Sequence, residues 1–236
     1  ADVSALVSVI TPYGEGIDQT LRSIARQEST EHLIVVPPGQ QPKLDNCRLV
    51  PGTSSDPISM CNEGLADAQG GLVMWLLPGL QVSPGFAPAA AQALAAEPEL
   101  ALVATGPFEI GRHLIGGRHP QAFVMRREHC GPLDETLGHL AVWDATLSAL
   151  THGPGISTPD HWAKGRSSDT HPESTQALHD IFTRHQGLYA THAEAFWRAL
   201  FEQRERRFEL KSRYATSEGV VRKIKSALRR GAGARS

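Results

Sequence analysis

Cysteine is scarce. Cys47, Cys61 and Cys130 are the only three, widely spaced and in no Cys-x-x-Cys pair. That excludes a disulfide-built scaffold and a zinc-ribbon framework, and it suits buried free thiols in a reducing compartment. Long apolar runs are also missing: none reaches the roughly 18–20 residues that a helix needs to cross a bilayer. No secretory leader pattern is visible, so the expected setting is the cytoplasm, with contact at the periphery of a membrane. There are no internal repeats, which removes solenoids and propellers. Net charge is nearly absent too, at −2, but that figure conceals an uneven distribution. Residues from Arg198 to Ser236 include 12 basic and 4 acidic side chains, a net +8, and the rest carries 11 basic and 21 acidic, a net −10. No nucleic-acid-binding motif accompanies the basic end, so nucleic acid is not an expected partner.

What is present reads as one large α/β unit. The chain has 236 residues, 40% of them hydrophobic and 20% charged, ordinary for a globular protein with a substantial core. The central stretch is Ser59–Phe86. Ile58, Cys61, Leu65 and Ala68 recur at helical spacing, and Gly70-Gly71 is expected to stop that helix through a positive φ. Leu72–Leu77 is a continuous apolar run, expected as a strand covered on both faces. Pro78-Gly79 ends it. Ligands of open α/β sheets bind beyond the carboxyl ends of strands, so a site is expected at the turn after Leu77.

The flanking segments alternate in the same way. Ala5–Ile10 reads as a strand broken by Thr11-Pro12, then a helix with Ile17, Leu21 and Ile24 on one face, then a strand over His32–Val36. Cys47–Val50 reads as a short strand. Asp56-Pro57 is a helix start, with proline at the first helical position. Phe86–Ala96 is an alanine-rich helix, Leu100–Ala104 and Gln121–Met125 are strands, and Gly106–Pro120 shows no periodicity. Leu140–His152 is a helix and Pro159–Pro172 a polar loop. Beyond it the composition turns helical, with apolar patches at Leu178, Ile181 and Phe182 and at Phe196, Trp197, Leu200 and Phe201, expected to pack on the first unit. Val220, Val221, Ile224 and Leu228 give a last amphipathic helix rich in Lys and Arg. The expected division is an α/β domain over residues 1–170 and a helical extension over 171–236.

Three blocks resemble the family 2 glycosyltransferases. They are Val7–Tyr13 with Leu21-Arg22-Ser23-Ile24-Ala25-Arg26-Gln27, then Asn62–Gly70 leading into the apolar strand, then Arg126-Arg127-Glu128 followed by Gly131–Glu135 and Trp143-Asp144. The resemblance implies a nucleotide-diphospho-sugar transferase-like fold: a mostly parallel sheet with helices on both faces, here with a C-terminal helical extension. It also implies a nucleotide site around Thr11, Pro12, Tyr13, Pro38, Asn62, Leu77, Pro78, Gly79 and Arg126. The family's acidic positions are occupied otherwise. Pro37-Pro38-Gly39-Gln40 stand where the second strand normally ends in carboxylates, Leu77–Leu80 where an Asp-x-Asp cluster holds a divalent metal, and Val142 at the general-base position.

Glycosyl transfer needs a cation against the diphosphate leaving group and a base for the acceptor hydroxyl. No metal ligand or cofactor is predicted, and Mn2+ or Mg2+ is not expected without those carboxylates. Arg112, Arg118, Arg126 and Arg127 can supply positive charge instead. His113 or His119, or Asp144 if its helix is turned, can serve as base. His161, Asp169 and His171 are a weaker metal-ligand set. Two functions follow. One is a divergent glycosyltransferase-like protein of glycan or cell-surface polysaccharide biosynthesis, metal-independent or inactive, taking a nucleotide sugar and a glycan acceptor. The other is a non-catalytic scaffold that keeps the fold and pairs with an active transferase. The basic C-terminal helix is a candidate contact for that partner or for a membrane surface.

Overall fold

The computed structural model of the chain describes residues 6–28, 30–116, 121–165 and 175–209. Its centre is a seven-stranded sheet. In chain order its strands are β1 (Val7–Pro12), β2 (Thr30–Val36), β3 (Arg48–Pro51), β4 (Leu72–Trp75), β6 (Leu102–Thr105), β7 (Phe123–Arg126) and β8 (Gly155–Thr158). They lie side by side as β3-β2-β1-β4-β7-β6-β8. β7 alone runs against its neighbours; all other pairings are parallel. A two-stranded ribbon pairs β5 (Gln81–Val82) with β9 (Ala163–Lys164).

Helices cover both faces. α1 (Ile17–Ile24) and α3 (Phe86–Ala96) lie on one side, where Val7, Val9, Met74 and Leu76 meet Ile24, Phe86, Ala90 and Leu94. α2 (Pro57–Asp67) and α5 (Ala141–Leu150) lie on the other, where Ile10, Leu33, Val73 and Trp75 meet Ile58, Cys61, Leu65 and Leu147. Alternation along each strand sends successive side chains to opposite layers, and both layers are apolar, so the inner strands are buried along their whole length. α4 (Ile110–Leu114) follows β6. α6 (Thr175–Arg184), α7 (Gln186–Thr191) and a helix over residues 193–209, α8, come last. Ile181, Leu188 and Tyr189 join the apolar cluster of α2 and α5.

Local chemistry explains most boundaries. Asp56 caps α2: its Oδ1 accepts from the N–H groups of Ile58 and Ser59 at 2.9 and 3.0 Å, with Pro57 at the first helical position. Gln27 joins two helices. Its amide donates to Ser83 O at 2.8 Å and accepts from Ala87 N–H at 3.0 Å, tying the end of α1 to the start of α3. At the amino edge of the sheet, Glu31 accepts from Ser8 Oγ and Gln69 N–H and pairs with Arg48. Burial alone would raise the Glu31 pKa; these donors outweigh it and hold the carboxyl below its ordinary value.

Several expectations need correction. β1 is not broken at Thr11-Pro12 but runs through Pro12, because the Tyr13 N–H donates to Val35 O at 2.8 Å and carries the ladder past the proline. α2 stops at Asp67, and neither Gly70 nor Gly71 has a positive φ. Gly70 is needed for room instead: a side chain there would strike the Leu6 carbonyl and Ser8 Oγ. The segment after Gly106 is not wholly irregular, since α4 forms within it. Trp197 and Phe201, expected to pack inward, are exposed. Asp169, His171, Arg118, His119 and the basic stretch around Val220–Leu228 fall outside the described residues.

Candidate functional site

Four parallel strands, β3, β2, β1 and β4, end together, and the turns that follow them form one continuous edge. Gly52 N–H donates to Val36 O at 2.7 Å and Leu76 N–H to Ile10 O at 3.0 Å, so the strand ends are closed up to the last residues. The loop after β1 then folds over the turn after β4. An ideal Cβ on Gly14 would stand 3.5 Å from Pro78 Cγ, and one on Gly16 would stand 3.1 Å from Gly79 Cα. Gly16 and Gly79 have φ of 84° and 88°, which permits this close crossing of two backbones. Thr20, buried on α1, fixes the turn: its hydroxyl accepts from Gly79 N–H at 2.9 Å and donates to Leu80 O at 2.8 Å. Sequence reading passed over Thr20; a threonine one turn along from Ile17, on the apolar face of α1, was the available signal.

Of the expected nucleotide-site residues, Thr11, Pro12, Tyr13, Pro38, Leu77, Pro78 and Gly79 meet at this edge. Tyr13 and the Leu77–Leu80 turn are half-buried and Pro38 is exposed, so this edge is partly open to the outside. Thr11 is buried, and its Oγ1 has no hydrogen-bond partner among the described residues; the same holds for Trp75 Nε1 at the end of β4.

Asn62 and Arg126 do not join them. The Asn62 side chain clasps the backbone of Leu133, donating to its carbonyl at 2.9 Å and accepting from its N–H at 2.6 Å. It ties α2 to the segment ahead of α5. Arg126 ends the antiparallel β7 and pairs in register with Leu72, the first residue of β4, so it lies at the opposite edge of the sheet. There its guanidinium donates to Leu94 O and Leu100 O at 2.6 and 2.9 Å, closing the end of α3. Arg127 does the same for Leu65 O and Ala68 O at the end of α2. Arginines at helix carboxyl ends satisfy free carbonyls, and neither is aimed at a diphosphate. Arg112 is paired with Glu109 and Glu202.

The candidate bases are also placed differently from expectation. His113 is buried, not on a loop surface. Its ring lies between Phe108 and Phe123, each at 5.3 Å, with Nε2 2.7 Å from Thr146 Oγ1. Burial pushes its pKa down to about 4, so it is neutral near pH 7, yet it is sealed from an acceptor hydroxyl. Asp144, in the first turn of α5, has both carboxylate oxygens engaged: Oδ1 lies 2.8 Å from His185 Nε2 and Oδ2 2.5 Å from Arg184. Arg184 also bridges to Asp134 at 2.7 Å. The Thr136 hydroxyl and the Arg184 guanidinium hold the Asp134 carboxyl below its ordinary range. The end of α6 therefore lies across the amino end of α5.

A divalent cation of the kind that bridges a diphosphate does not fit these residues. The turn after β4 offers Leu77, Pro78, Gly79 and Leu80, none with a side-chain oxygen. Among the described residues no three His, Cys, Asp or Glu side chains converge. Burial pushes the Cys61 and Cys130 thiols up to about 12.

Comparison with solved structures sets this edge in context. S. aureus TarS 1–349 in complex with UDP-GlcNAc superposes with a TM-score of 0.58 at 15% identity, over 82% of this chain and 71% of that one. The fold is that of the nucleotide-diphospho-sugar transferases. The mostly parallel seven-stranded sheet with its helices is this architecture. Glucosyl-3-phosphoglycerate synthase from Mycobacterium tuberculosis, in complex with Mn2+, UDP-glucose and phosphoglyceric acid, matches with a TM-score of 0.52 at 14% identity, over 77% of this chain and 80% of that one. A longer S. aureus TarS chain matches with a TM-score of 0.51 at 17% identity over 65% of this chain, which spans only 35% of its length. No family model and no curated protein sequence matches the chain.

Proposed function

We propose that this protein is a glycosyltransferase-like binder of nucleotide sugars, of the kind that serves glycan or cell-surface polysaccharide biosynthesis, working without a divalent metal. The observation that carries this reading is the shared carboxyl edge. Tyr13, Pro38 and the Leu77–Leu80 turn are brought together there, on a fold whose relatives were solved with UDP-GlcNAc and UDP-glucose. In this reading the nucleotide lies between the loop after β1 and the turn after β4, and Tyr13 offers its ring to the base. The diphosphate meets backbone N–H groups of the turns rather than a cation. Asp144 is the carboxylate available to an acceptor hydroxyl once the end of α6 moves away from it.

A second reading has its own support: both Asp144 oxygens are occupied by Arg184 and His185, as in a structural latch. The protein is then a non-catalytic scaffold that keeps the fold and pairs with an active transferase. Calorimetric titration with UDP, UDP-GlcNAc and UDP-glucose, with and without Mn2+, separates the two. Binding that is indifferent to Mn2+ supports the first reading. Binding that requires Mn2+ overturns its metal independence, and no heat with any of the three nucleotides leaves the scaffold.

A further inference from the structure

Trp197, Phe201 and Phe208 follow one another on α8 at spacings of four and seven residues. At 100° per residue they fall on one narrow stripe. Their exposures are 52%, 55% and 75%, so each residue is more exposed than covered. Other faces of α8 attach it to the body. Ala199 is buried, Phe196 stands edge-on to Tyr189 at 5.3 Å, and Glu202 reaches Arg112 at 3.3 Å. A cavity of about 850 Å3 lies along the same helix, lined by Phe201, Phe208, Arg204, Arg207, Glu205 and Glu209 among others. Three large rings in line on an outer face mark a contact surface rather than scattered exposure.

Charge selects what the surface fits. The helix over residues 193–209 is itself balanced, with four Arg against four Glu; the positive charge lies in the sequence that follows it, where residues 210–236 include 8 basic and 1 acidic side chains, a net +7, in a chain whose residues 1–197 carry a net −10. An anionic, apolar surface satisfies both the rings and the charge, which is the pattern of interfacial helices. We infer that the Trp197–Phe201–Phe208 face of α8 docks on an anionic lipid surface. The rings enter the boundary between headgroups and acyl chains. Arg204 and Arg207, beside them, extend along the apolar face and hold their guanidinium groups at the lipid phosphates. The inference is independent of the nucleotide reading, since vesicle binding and UDP binding are separate measurements.

The test is flotation of the full chain with vesicles of pure phosphatidylcholine and with vesicles holding about 30% phosphatidylglycerol. The protein is expected to float with the anionic vesicles only and to be released by raised salt. Trp197→Ala/Phe201→Ala/Phe208→Ala is expected to weaken partitioning at least about tenfold with unchanged circular dichroism and melting temperature, because the rings are exposed. Arg204→Glu/Arg207→Glu is expected to weaken it as well. Failure of the wild type to float with anionic vesicles overturns the inference. So does a triple variant that floats as well as the wild type, which would leave the binding to charge alone. A wild-type dimer in light scattering that the triple variant converts to monomer would assign the face to a second copy instead.

Discussion

The Asp144 carboxylate and the His185 imidazole face each other at 2.8 Å, both buried, one from the first turn of α5 and one from the junction of α6 and α7. With Arg184 on the other oxygen, this contact fastens the last helices to the sheet. Asp144→Ala strands His185 without its partner in an apolar setting. The expected cost is about 3 kcal/mol in urea unfolding at neutral pH. Arg184→Ala, whose side chain is largely solvated, is expected to cost about 1 kcal/mol or less. Equal effects from the two variants would contradict the buried contact as the stronger one.

Asn62 carries a similar role between α2 and the segment before α5. Its two bonds to the Leu133 backbone are lost in Asn62→Ala, leaving a carbonyl and an N–H unpaired inside. A loss of about 2 kcal/mol is expected in thermal unfolding. If Asn62 instead contacted a nucleotide, the variant would keep its stability and lose UDP affinity. Measuring both distinguishes the roles.

His113 sets a pH dependence. Its folded pKa of about 4 lies below the ordinary value of 6.5, so the unfolded chain takes up the proton first. The stability is fully present above pH 6.5 and is lost as the pH falls toward 4, by roughly 3 kcal/mol in all. His113→Gln removes that titration. The gap in unfolding free energy between wild type and variant is expected to shrink steadily from pH 7 to pH 4.5; a constant gap would mean that His113 takes up its proton as readily in the fold as in the unfolded chain.

The crossing of Gly16 over Gly79 makes a local prediction about the site. Gly16→Ala places a Cβ 3.1 Å from the Gly79 Cα at a φ of 84°. The strain is expected to cost about 1–2 kcal/mol and to push the loop after β1 away from the Leu77–Leu80 turn. In the proposed function UDP affinity falls as well, by at least about tenfold. Gly39→Ala also lies at positive φ but meets nothing within 4 Å, and is expected to leave the geometry of this crossing intact.

The sheet strands other than β8, and the helices α2, α3 and α5, were legible because each rests on local signals; Gly155–Thr158 offered none and was not read as a strand. Phe86–Ala96 is a run of strong helix formers, and Asp56-Pro57 is a capped start. The Leu72 run is apolar because both its faces are covered. Gly64, within the Asn62–Gly70 block, packs α2 onto the sheet: a Cβ there would stand 2.5 Å from Ile10 Cγ2. Less legible were the parts whose meaning depends on distant neighbours. Arg126 and Arg127 looked like anion ligands because a guanidinium serves a phosphate and a helix carbonyl with the same donors. His113 looked like a loop base because α4 is too short to register as a period.

By itself, then, the order of residues determined the alternation of strand and helix, the buried strands, and the absence of carboxylates at Leu77–Leu80, since these are properties of neighbouring side chains and of identity alone. Only the tertiary structure decided which end of the sheet each residue occupies. The reversal of β7 sends Arg126 to the edge away from the site, and the approach of α6 gives Asp144 two partners. Direction of a strand and contact between remote helices are set by how the layers close over the core, and no local pattern encodes them.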